Sequence, residues 1–161
     1  DAGLAIGFVP LIMIVMNVVY SGCAYPAGTA ADRVPPRTLL IAGLGVLIVA
    51  DALLAAATSP LLAFIGAGFW GLHMALTQGL LTKLIADTAP DELRGTAFGL
   101  FNLVSGGALL LASVIAGALW TALGPAATFL AAAAFAAVAA AGLLFVRPRP
   151  ATPSGAATAT G

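Results

Sequence analysis

Asp32 and Arg33 stand side by side with Arg37 four residues on, and Lys83, Asp87 and Arg94 make a second charged group later in the chain. A guanidinium beside a carboxylate forms strong, charge-assisted hydrogen bonds, with two-pronged geometry when it faces the carboxylate squarely. Such pairs can latch two helical segments and yield when the segments move apart. Lys83 and Asp87 have the i,i+4 spacing of an ion pair along one helix. His73 is a candidate of another kind. It is the only histidine, it lies in an apolar run with Trp70 and Gln78 close by, and its imidazole titrates near neutrality, which suits proton transfer. Asn17, Gln78 and Asn102 also interrupt apolar runs. For these four residues two readings stand: contact with a solute or proton pathway, or a hydrogen bond across helices. Asp51 follows the uncharged run 38–50, and a side chain there is expected to snorkel towards the nearer membrane surface.

Enzyme chemistry finds no support. There is no G-x-S-x-G around Ser105, no H-E-x-x-H, no phosphate-binding glycine loop and no cysteine pair. One histidine and Cys23 cannot make a usual zinc site, so no metal or cofactor is expected. An intramembrane enzyme using Ser105 or His73 remains a distant rival. Net charge is zero without a basic tail, so nucleic acid is not an expected partner.

The elements that carry these residues follow from composition. Of 161 residues, 61% are hydrophobic and 7% charged, and the mean hydropathy is +1.11. Soluble domains are about 45–50% apolar and about 25% charged. Five runs reach the length of about 20 residues that crosses a hydrocarbon core: 4–23, 38–57, 60–86, 95–120 and 126–146. Every basic residue lies in or beside one of three breaks: Arg33 and Arg37, Lys83 and Arg94, Arg147 and Arg149. The breaks at Thr58-Ser59 and at Thr121 to Pro125 are uncharged. This alternation predicts an all-α polytopic bundle with its basic connections in the cytoplasm, its N-terminus outside and its C-terminus inside. Residues 147–161 read as a disordered tail. Ala67, Gly71, Ala75 and Gly79 make a small-residue stripe suited to close helix packing. The third run is long, so tilt or a bend near Gly66, Gly68 or Gly71 is expected.

The segment Tyr25-Pro26-Ala27-Gly28-Thr29-Ala30-Ala31-Asp32-Arg33-Val34-Pro35-Pro36-Arg37 resembles the signature loop of the major facilitator superfamily, with Pro35, Pro36 and Ala30 departing from its pattern. A second segment, Pro90 to Gly99, is similar to the start of that family's eleventh helix. The resemblance implies five transmembrane helices, the eighth to twelfth, of a twelve-helix transporter fold in a bacterial inner membrane. Asp1 opening the sequence and Met13 lying inside an apolar run fit the middle of a longer chain. The resemblance further implies that Gly28, Asp32, Arg33, Arg37, Arg94 and Gly95 form cytoplasmic gating segments facing an N-terminal half. His73, Gln78, Asn17 and Asn102 would line the pathway. The partners would be a small solute, protons and the lipid bilayer, and proton-coupled efflux is the family's frequent mode. The alternative is a complete small membrane protein that oligomerises as a channel or assembly subunit. An upstream reading frame with seven further apolar segments would separate the two.

Overall fold

A computed structural model describes residues 9–145. It contains α1 (Val9–Ala31), α2 (Pro36–Ala55), α3 (Pro60–Thr88), α4 (Arg94–Leu123) and α5 (Pro125–Phe145), with one 3-10 turn at Asp91–Leu93 before α4. All five helices are long and apolar enough to cross a membrane. The protein is thus an all-α polytopic bundle. The expected tail, Arg147, Arg149 and the first residues of the first expected segment lie outside the described residues.

Helix ends follow from proline, serine and glycine. Pro36, Pro60 and Pro125 each open a helix, where a missing N–H leaves no bond unmade. The Ser59 hydroxyl accepts the Leu62 N–H at 3.4 Å and caps α3. Gly124, with φ +86°, turns the chain sharply between α4 and α5; a side chain there would be strained. Thr121 lies inside α4 rather than in the break, its hydroxyl donating to the Gly117 carbonyl.

The largest departure from expectation is α1. The charged connection was expected over 24–37, yet the helix continues through Pro26 to Ala31, and Gly28 is helical. Proline removes one intrahelical donor, a loss that membrane helices tolerate when other groups satisfy the freed carbonyl. The connection shrinks to residues 32–35, closed by the Val34 N–H on the Ala30 carbonyl at 2.8 Å. α3 is one uninterrupted helix of 29 residues, with no break at its glycines.

In cross-section the helices neighbour one another in the order α1, α3, α2, α5, α4, with a lighter contact between α3 and α4. Small residues set these approaches. At Gly71 a Cβ would collide with the Met16 backbone carbonyl, so α1 touches α3 backbone to backbone. Gly66 lies against Leu54 and the Ala50 carbonyl, and Gly43 against Thr77 and His73, which joins α3 to α2 on another face. Ala67 and Ala75 of the small-residue stripe are buried with Gly71, whereas Gly79 has open space around it. Lipid tails are as apolar as leucine, so this close contact, rather than burial of large side chains, drives association. No residue of α4 is buried, and Leu100, Leu103, Leu109 and Leu110 are exposed along it. Trp120 and Phe129 meet edge to face, 6.3 Å apart, where α4 turns into α5.

Candidate functional site: a charged latch at one end of the bundle

Because the helices alternate in direction, the end of α1, the start of α2, the end of α3 and the start of α4 converge on one side. All four described basic residues, Arg33, Arg37, Lys83 and Arg94, are found there. Lys83 reaches from α3 to the connection after α1, donating to Asp32 Oδ1 at 2.5 Å and to the Ala31 carbonyl at 3.4 Å. The expected Lys83–Asp87 pair gives way to this longer-range one. Two oxygens at the end of α1 offer more than a single carboxylate one turn along the same helix, and lysine near a helix C-terminus also meets a favourable dipole. The Lys83 hydrogen bond, reinforced by its charge and weakly by Arg33, holds the Asp32 carboxyl below the usual aspartate range. Both side chains are substantially exposed, 41% for Lys83 and 70% for Asp32. The pair is therefore wet and screened by salt.

Beside it, a cleft of about 320 Å³ opens between α1 and α3. Tyr20, Ala24 and Gly28 form one wall, Ala75 and Gly79 the other, and the Asp32–Lys83 pair stands at one end. Small residues on both walls keep the helices close while leaving this space.

The remaining members of the cluster are tied locally. Arg37 donates to the Leu144 carbonyl at 2.7 Å, closing the start of α2 onto the end of α5 and satisfying a carbonyl that α5 itself cannot. Arg94 pairs with Asp91 at 2.9 Å and donates to the Ala86 carbonyl at 3.2 Å, fastening the turn between α3 and α4. Arg33 and Gly95 are exposed at the same end.

The other candidates are not brought together. His73 points at α2, its Nδ1 lying 2.8 Å from the Gly43 carbonyl. A carbonyl only accepts, so Nδ1 carries the hydrogen and Nε2 presents a lone pair. Asn17 is exposed on α1 and donates to the Met13 carbonyl one turn back. Gln78 and Asn102 are exposed on α3 and α4. Sequence reasoning missed Lys83 as the partner of Asp32; the only signal was that both flank charged breaks. It also misplaced Asp51, which does not snorkel. That side chain is 3% exposed, held inside by α2 packing against α3 and α5.

Five helices long and apolar enough to cross a membrane, with the described charged connections gathered at one end, define a multi-pass membrane protein. A model of the Major Facilitator Superfamily matches residues 1–160. The chain belongs to that superfamily. It is also similar to an uncharacterized MFS-type transporter of Methanocaldococcus jannaschii, with 30% identity over 149 residues. That match covers 91% of this chain and 36% of the relative, so the chain spans about a third of the relative's length. No solved structure matches the chain.

Proposed function

We propose that the five helices form part of the C-terminal half of a secondary transporter that moves a small organic solute across the cell membrane. Movement is by alternating access, two helical halves rocking about a central site. The observation that carries this reading is the Asp32–Lys83 pair, which joins the segment that resembles the family's signature loop to α3. It ties the connection after α1 to the end of α3. An exposed pair contributes little to stability, but it breaks and re-forms readily as helices shift, which is what a gate requires. In this reading Arg33 and Arg94, exposed at the same end, meet the other half of the transporter. Basic residues favour the cytoplasmic side, so that end faces the cytoplasm and the α2–α3 turn faces outward. Asn17, Gln78 and Asn102, on surfaces that these helices leave open, contact the solute. His73 contributes its free Nε2 to proton movement.

The test is solute flux by the full-length transporter in proteoliposomes, with and without an imposed pH gradient. Saturable flux of a small organic solute, accelerated by the gradient, is expected. Flux indifferent to the gradient removes proton coupling, and ion conductance without saturable solute flux contradicts alternating access.

A further inference from the structure

Asp51 is the one charged-type residue in the described chain that is both buried and without a place in the latch. Its side chain is 3% exposed, and its Oδ2 has no hydrogen-bond partner among the described residues. Both α3 and α5 pack against α2, and with the side chain 3% exposed little surface is left for another segment to reach the carboxyl.

Among the described residues, no counter-charge faces it. The 21 described residues of α5 include no titratable group. On α3 the titratable groups are His73, Lys83 and Asp87. The His73 ring is fixed on Gly43, eight residues before Asp51 on α2 and so about 12 Å away along the helix. Lys83 and Asp87 lie towards the opposite end, with Lys83 committed to Asp32. On α2 itself, Arg37 is fourteen residues away, about 21 Å along the axis, and is turned to Leu144. Small groups crowd this level of the seam, where Gly66 lies against Leu54 and the Ala50 carbonyl. An isolated charge placed among such groups without a partner is too costly to persist; the group neutralises instead.

We propose that Asp51 is a proton-binding site: it holds a proton at neutral pH as a carboxylic acid within the α2–α3–α5 seam and exchanges it through the α2–α3 turn. The route is short, since α2 ends four residues later at Ala55, about 6 Å along the axis. That end is opposite the one where Arg33, Arg37, Lys83 and Arg94 gather. Proton exchange at Asp51 and the charged latch then lie at opposite ends of the bundle: loss of the proton leaves a bare charge in the seam, which favours a looser arrangement of α2 against its neighbours that admits water. Proton binding at Asp51 stands independently of whether the chain takes part in solute transport.

The experiment is solid-state carbon NMR of the chain in lipid bilayers, with its aspartates labelled at Cγ. The five aspartates are Asp1, Asp32, Asp51, Asp87 and Asp91. At neutral pH one carboxyl signal is expected at the protonated position, and it should be absent from Asp51→Asn. If that variant does not fold, Asp51→Glu serves instead: the aspartate acid signal should vanish and a glutamate acid signal replace it under glutamate labelling. Wild-type protein with every aspartate ionised at neutral pH, whether bare or holding a metal cation, overturns the proposal. An acid signal that survives in either variant overturns it as well. Because the readout is the carboxyl and not flux, a transporter without proton coupling would leave this result unchanged.

Discussion

Gly71→Ala lowers the stability of the bundle, whereas Gly79→Ala, the same change two turns along the same stripe, leaves it unchanged or raises it. A Cβ on Gly71 would overlap the carbonyl of Met16, a backbone atom that cannot rotate away, so α1 must move off α3 along its length. Overpacking of this sort costs about 1–3 kcal/mol in soluble cores, and a backbone obstacle places Gly71 towards the upper end. A Cβ on Gly79 would meet no side chain or neighbouring helix within 4 Å. Alanine there gains helix propensity of up to about 1 kcal/mol and loses no contact. Thermal unfolding in detergent, read by reaction of the free thiol Cys23 with a fluorogenic maleimide, measures both; Cys23 sits on α1 and is partly shielded. Equal effects from the two substitutions would mean that α1 and α3 do not meet at Met16.

The second large effect is on the latch. Lys83→Glu sets two carboxylates against each other and releases the connection after α1 from α3. Flux through the full-length transporter should fall by about fivefold or more, within the range of typical coupling between a gate and a binding site. Asp32→Lys alone should do the same by placing two ammonium groups together. The double variant Asp32→Lys with Lys83→Asp restores the attraction and most of the flux, which a role in topology alone does not predict. Its pH dependence has a defined sign. The Asp32 carboxyl is held below its ordinary value of 3.8, so the pair's contribution is present above that value and is lost as pH falls through the lowered one. Between about pH 5 and 8 the latch is therefore constant, and any flux change in that window arises elsewhere. Added salt weakens the pair, since both groups are wet.

What could be read from the chain, and what could not, divides along physical lines. Apolar length alone placed five helices, because a bilayer crossing demands about 20 apolar residues whatever its neighbours. Proline and glycine at Pro36, Pro60 and Gly124-Pro125 marked ends well. The same residues misled at Pro26 and Gly28, where a helix runs on despite a lost donor. Local spacing suggested Asp87 for Lys83, yet the partner is 51 residues away, a choice made by the packing of α1 on α3. Asp51 depended on which face of α2 turns inward. The apolar residues surround α2 on every side, so no periodicity betrays that face. For His73 the chain left two readings open, and the Nδ1 contact with the Gly43 carbonyl sets the tautomer of the neutral ring, with Nε2 unpartnered among the described residues.

Membrane topology is tested most directly by single cysteines. In a Cys23→Ser background, Ser59→Cys lies in the turn between α2 and α3 and Asp91→Cys in the turn before α4. With a membrane-impermeant thiol reagent applied to intact cells, the account predicts that position 59 labels from outside and position 91 only after the membrane is opened. Labelling of both positions from the same compartment would contradict it.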